Sequence, residues 1–342
     1  MSEYQFVHFL AMDRPLDEGQ LVFVRRQSSR AEITPWEFTN EYPFGDLHGD
    51  AMAMLRRGYD VHLHYANFGI RRLLIRLPAG LPCDRRAFAA FRVSHCIEWH
   101  ADKKGRGGIL HIKPEADAGT YDEELYDVDS LLPVLAKVRD LLIAGDLRPL
   151  YLAWLACNFD EASLEPPVPA GLGKLPAALE AMADFYAVSD DLLAAAAERS
   201  PPLPKLASVD QTLKRWIAGQ SPEALRRLVR RFLSRDSAAT RAETLANIRA
   251  EIGAPNWPTN EPSRTLAQLR ESASALHGRR LSEERRAKDA TRGKRLSAIG
   301  QIRARRSNRK LIQRPPATSM IPLAEESGTR SCVFDIAHTG GE

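Results

Sequence analysis

"DVHLHYANFGIRRLLIRLP", residues 60–78, decides the fold class. In its first half apolar and polar residues alternate. Val61, Leu63 and Tyr65 fall on one side, and His62 and His64 on the other. A period of two is that of a β-strand. Asn67-Phe68-Gly69 then reverses the chain into a second apolar run, so the stretch predicts an antiparallel hairpin. A second hairpin is predicted from "SHCIEWHA" (94–101) and "GGILHIKPE" (107–115), which flank the basic tip "DKKGRGG". Upstream, "YQFVHFLAM" (4–12) has strand composition. In "LDEGQLVFVRRQSSR" (16–30) the positions of Leu21, Val22 and Val24 fit helix and strand alike. "AEITPWEF" (31–38) reads as extended, because Thr34 precedes a proline. "GDAMAMLRRGYD" (49–60) suits a short helix capped by Asp50. Local strand pairs separated by short helices predict an α+β fold, with an antiparallel-sheet domain over residues 1–128.

From residue 129 the period lengthens, and a helical region is expected to 260. "DSLLPVLAKVRDLLIAG" (129–145) reads as one amphipathic helix stopped by Gly145, and "DLRPLYLAWLACNF" (146–159) as another. "DEASLEPPVPAGLGKLP" (160–176) reads as a linker, punctuated by Pro and Gly. Two short helices follow, the second capped by Ser189. In "SPEALRRLVRRFLSRD" (221–236), Leu225, Leu228, Val229, Phe232 and Leu233 share a face opposite the arginines. Residues 261–312 form a basic helical extension. Residues 313–342 show no sustained period and read as a disordered tail.

The 342 residues leave room for two domains, or for one domain with extensions. The net charge of +4 hides an asymmetry: between Arg264 and Arg314 sixteen Lys/Arg face four Asp/Glu, a local balance of +12. A basic end on a mildly acidic body points to an anionic partner. The most apolar region, residues 130–159, is interrupted by Lys137, Arg139, Asp140, Asp146 and Arg148, so no membrane span is expected. The N-terminus carries no basic leader ahead of an apolar run, and residence in the cytoplasm is expected. Cys83, Cys96, Cys157 and Cys332 form no C-x-x-C pair, which argues against a zinc ribbon or a thioredoxin-type site and favours buried thiols.

Three places carry candidate chemistry. The string "GDLHGD" (45–50) matches the Gly-Asp-x-His-Gly that opens the metal site of one class of phosphoesterases, with Asp46, His48 and Asp50 as candidate catalytic residues. That site also needs a buried strand before the string and a Gly-Asn-His string elsewhere. "EYPF" precedes it and no Gly-Asn-His occurs, so a turn is expected, with Gly45 and Gly49 at positive φ and Asp50 capping the next helix. On the predicted strands His62 and His64 share one face, and Glu98, His100 and Asp102 another. If the strands are neighbours, His62, His64, Glu98 and His100 are candidate metal ligands. The competing expectation is the solvated polar face of an antiparallel sheet, with His95 and His111 structural. In the basic extension, Arg279, Arg280, Arg285, Arg286, Lys288, Arg292, Lys294, Arg295, Arg303, Arg305 and Arg306 are candidates to track a phosphate backbone. The stretch 264–310 has no Phe, Trp or Tyr, so base stacking is not expected.

"DRPL" (13–16), "SSRAEITPWEFTNEYPFGDLHGD" (28–50) and "RRLLIRLP" (71–78) together resemble a family of bacterial proteins with no assigned activity. The resemblance extends over about residues 1–255. In that family the loop runs Gly-Asp-aromatic-basic-Gly-Asp. Leu47 and His48 depart from it, which implies that His48 is not a family ligand. The resemblance also implies further helical sequence beyond the charged stretch, which residues 313–342 do not visibly supply.

No Gly-x-Ser-x-Gly, His-Glu-x-x-His or EF-hand string occurs. The leading expectation is a cytoplasmic accessory or interaction protein without a cofactor. Its residues 264–314 would meet nucleic acid or an acidic protein, and it would not enter a membrane. The alternative is a metal-dependent hydrolase with its site in the N-terminal domain.

Overall fold

A computed structural model describes residues 3–43, 45, 47–115, 128–203, 206–233, 237–252 and 264–312, leaving aside the side chains of 206–209, 249–252, 304 and 306–312. The expected tail, 313–342, lies outside the described residues. The chain divides into two units, Met1–Leu281 and Ser282–Glu342.

The first unit opens with strand β1 (Gln5–Leu10), helix α1 (Glu18–Arg25), β2 (Glu32–Ile33), β3 (Glu37–Tyr42), α2 (Ala51–Arg57), β4 (Val61–Ala66), β5 (Ile70–Leu77), α3 (Arg85–Ala89), β6 (Ile97–Ala101) and β7 (Gly108–Ile112). All the strands belong to one antiparallel sheet in the order β2-β3-β1-β4-β5-β7-β6. Both predicted hairpins form. Val61 pairs with Ile75 and Tyr65 with Arg71 in one, and Glu98 pairs with His111 and His100 with Ile109 in the other. The undecided stretch after Pro15 is helical, because Asp17 and Gln20 close a reciprocal capping box around the first turn of α1.

Each face of the sheet has its own core. One face presents Phe6, Leu63, Leu73, Ile75, Ile97, Leu110 and Ile112. It is covered by α4 (Leu131–Leu135), α5 (Lys137–Ala144), α6 (Arg148–Cys157), α7 (Ala177–Phe185) and α8 (Asp190–Ala197). The other face presents Val7, Phe9, Phe38, Leu74 and Ile109 to Leu21 and Val24 of α1 and to Met54 and Leu55 of α2. The architecture is α+β, as the hairpins imply.

Two expectations are corrected here. The single helix expected over 129–145 is a 3-10 turn, Val128–Ser130, followed by α4 and α5. The ladder breaks at Ala136, whose carbonyl accepts from Arg139 N only three residues on, at 3.0 Å. Gly145 does end α5, at φ +92°. The second correction concerns 160–176. Residues 165–169 of this supposed linker are buried. Three of the five are prolines, which bring no N–H into the core that would need a partner. The Pro169 carbonyl accepts from Ser200 Oγ at 2.7 Å, and Gly171 N donates to Pro201 O at 2.8 Å.

Helices α9 (Leu206–Ala218), α10 (Pro222–Phe232) and α11 (Ser237–Ile252) follow. The apolar face expected on α10 exists. Leu225, Leu228, Val229 and Phe232 meet Trp216, Ile217, Leu245 and Ile248 around a cavity of about 340 Å³. Leu233 is the helix cap and stands 84% exposed, so it does not belong to that face. Helix α12 (Leu266–Ile312) starts inside the first unit. Leu266, Leu269 and Ala273, spaced by three and four, are buried in the core of the helix-covered face. In the second unit the described residues continue α12 from Ser282 to Ile312.

Candidate functional site

The turn after β3 has the structural role expected of it. Gly45 adopts φ +83°. Gly49 does not take a positive φ. A Cβ there would lie 3.0 Å from Gln27 Cβ, so its small size serves close packing instead. Asp50 caps α2, accepting from Ala53 N at 2.9 Å, while its own N–H donates to Gln27 Oε1 at 3.0 Å. Asp46 lies outside the described residues. His48 is half-buried, and no group of three candidate ligands among the described residues includes it or Asp50. Asp50→Ala is expected to cost about 1 kcal/mol of stability, the usual worth of an N-cap, measured by urea unfolding.

The four candidate metal ligands do lie on one face of the sheet, but not in one place. His62 and His64 sit on β4, and Glu98 and His100 on the edge strand β6, with β5 and β7 between them. His62 is fully buried against the Phe9 ring, centroids 3.9 Å apart, and its Nδ1 donates to the His8 carbonyl at 3.1 Å. Burial holds its pKa well below the ordinary value, so it packs as a neutral ring. His64 Nε2 donates to Gln5 Oε1 at 2.8 Å, and Gln5 Nε2 donates to the Gly45 carbonyl at 2.9 Å. That chain of bonds anchors the turn. Asp102 is held by Arg76 through two bonds of 3.1 and 2.9 Å, with Arg56 3.7 Å away.

Glu98 and His100 converge instead with His111, which the sequence reading set aside as structural. Glu98 and His111 are cross-strand partners, and His100 is two residues from Glu98. Glu98 Oε2 lies 3.4 Å from His100 Nε2 and 4.0 Å from His111 Nδ1, with the two rings 5.8 Å apart. One ligand atom from each of the three residues lies within 4.8 Å of the others. The Nε2 atoms of both histidines are buried without a hydrogen-bond partner among the described residues. Burial first, and then the positive charges of Arg72 and Lys113 with His100 between them, push the His111 pKa down to about 4. The available signal in the sequence was the register: a strand pairing around "DKKGRGG" puts residue 111 opposite 98.

The basic residues divide into two groups. Arg264 is 4% exposed and forms a two-bond ion pair with Glu165, so it belongs to the core. Arg280 donates to Asp191 Oδ2 at 3.0 Å, which also pairs with His277. Arg279 is exposed. Beyond Leu281, Arg285, Arg286, Lys288, Arg292, Lys294, Arg295, Arg303 and Arg305 are all exposed, and none pairs with a carboxylate among the described residues. The Arg306 side chain lies outside the described residues. Arg285, Lys288, Arg292 and Arg295 recur every three or four residues, and Arg303 stands five helical turns beyond Arg285, so all five share one helix face. From Arg285 to Arg303 the stripe is about 27 Å long at 1.5 Å per residue.

No helix is long and apolar enough to cross a membrane among the described residues. Comparison with family models, with curated proteins and with solved structures finds no match for this chain.

Proposed function

We propose that this is a cytoplasmic interaction protein that contacts nucleic acid, or a polyanion of similar charge density, through the basic stripe of α12. The observation that supports this reading is the set of eight exposed, carboxylate-free cations between Arg285 and Arg305. An ion pair within the molecule would cancel most of the attraction for an outside anion. Among the described residues these have none, whereas Arg264, Arg270 and Arg280 are each paired. Cationic side chains on one helix face release counterions from a phosphate backbone, which gives strong salt dependence and little sequence preference. The segment lacks aromatic residues, so single-stranded bases gain no stacking platform and duplex is favoured.

The test compares the full chain with a variant in which Arg285, Lys288, Arg292, Arg295 and Arg303 become Gln, which keeps helix propensity and removes charge. The parent is expected to bind labelled duplex with a steep fall in affinity as salt rises. The variant should lose about one unit of the log–log salt slope per contact removed. Equal retention of both proteins on duplex and on heparin would end the proposal. Truncation is informative only from residue 282 onward. A cut at 264 would also remove Arg264, Leu266 and Leu269 from the core.

A further inference from the structure

We propose that Glu98, His100 and His111 form a mononuclear binding site for a divalent transition cation of the zinc type. Residues two apart on β6, together with the cross-strand partner of one of them on β7, must project from the same face of the sheet. Three donors therefore converge from two paired strands with no loop to order. A tetrahedral zinc ion about 2.0–2.1 Å from each ligand places donor atoms roughly 3.3–3.4 Å apart. The Glu98 to His100 separation of 3.4 Å already meets this, the Glu98 to His111 separation is 4.0 Å, and all three ligand atoms lie within 4.8 Å of one another, so side-chain adjustment closes the trio on an ion.

The donor set selects the cation. Two imidazole nitrogens and one carboxylate suit zinc, cobalt or ferrous iron, whereas magnesium and calcium prefer oxygen-rich cages. A second observation is that neither buried Nε2 makes a hydrogen bond among the described residues: that of His100 stands 3.4 Å from Glu98 Oε2 without bonding it, and that of His111 is the ring nitrogen other than the Nδ1 near Glu98; a buried nitrogen without a bond is costly. Arg72 and Lys113, which bear on the His111 ring, oppose a dication, and Glu98 supplies the one compensating charge within the trio. Loss of that charge is therefore the most sensitive test. Three protein donors leave a fourth coordination position open, as catalytic rather than structural zinc sites do.

The experiment uses the full chain stripped with chelator and then titrated with cobalt(II), followed by zinc(II). The expected result is one equivalent of cobalt with visible d–d absorption, bleached by one equivalent of zinc. Glu98→Gln, which keeps the side-chain shape, and His111→Ala are each expected to weaken zinc binding by at least about 100-fold, the upper range for loss of a supporting group near a metal. His277→Ala, which alters an exposed histidine elsewhere, should leave affinity unchanged. Circular dichroism confirms folding, and if His111→Ala unfolds, Glu98→Gln decides. Absence of stoichiometric uptake, or uptake that survives Glu98→Gln in folded protein, overturns the proposal.

Discussion

Replacing Arg264 by alanine is expected to destabilise the first unit by about 3–5 kcal/mol, the usual cost of orphaning one partner of a buried ion pair. The magnitude follows from burial and geometry. The Arg264 and Glu165 side chains are 4% and 3% exposed. The guanidinium gives Glu165 two bonds of 2.7 Å and a third, of 3.2 Å, to the Ala195 carbonyl. Tyr151 Oη donates to the same carboxylate, and burial, reinforced by that carboxylate, keeps the phenol protonated by pushing its pKa well above the ordinary value. Without Arg264 the carboxylate is left, among the described residues, with a single neutral side-chain donor, Tyr151 Oη. Glu165→Leu combined with Arg264→Met should recover most of the loss, because it removes both charges and fills similar volume. Urea unfolding with equal slopes measures both changes. A double variant no better than Arg264→Ala alone would show that the loss comes from packing and not from the stranded charge.

That pair also shows where the sequence stops being readable. Glu165 stood in a Pro-rich run that resembles a linker, and Arg264 at the head of a basic stretch that resembles a solvated arm. Composition averages over neighbours along the chain, whereas this contact joins residues 99 positions apart. The hairpins were legible for the opposite reason. Their partners are separated by a short turn, so period and turn residues specify the pairing locally. The position of β1, between β3 and β4, was not legible, because any of several strands could have paired with it. The same limit governs the candidate metal ligands. Alternation correctly paired His62 with His64 on one strand face and Glu98 with His100 on another, but strand order, which alternation does not give, keeps the two pairs apart. His111 becomes visible only through register, because its own strand reads as apolar.

Arg139→Ala is expected to produce a comparable loss, about 3–5 kcal/mol, by the same rule for buried charges. The residue lies mid-helix in α5, where the sequence reading counted it only as an interruption of an apolar run. Its side chain is 2% exposed and joins three separate segments. It donates to Asp13 Oδ1 at 2.8 Å and Oδ2 at 2.6 Å, to Asp60 Oδ1 at 3.1 Å, and through Nε to the Arg76 carbonyl at 2.8 Å. Asp60 in turn accepts the backbone N–H groups of Met12 and Asp13 at 2.7 and 3.1 Å. Arg139 therefore ties the helix layer to the β1–α1 connection, to the entry of β4 and to the end of β5. Arg139→Lys should recover little, since an ammonium cannot span a carboxylate with two parallel bonds and reach a carbonyl as well. Asp60→Asn should be milder, about 1–2 kcal/mol, because its amide oxygen still accepts from both backbone N–H groups and Asp13 still neutralises the guanidinium. The order of the three variants carries the argument. If Asp60→Asn cost as much as Arg139→Ala, the charge on Asp60 would dominate, and the two-bond pair with Asp13 would not be the anchor.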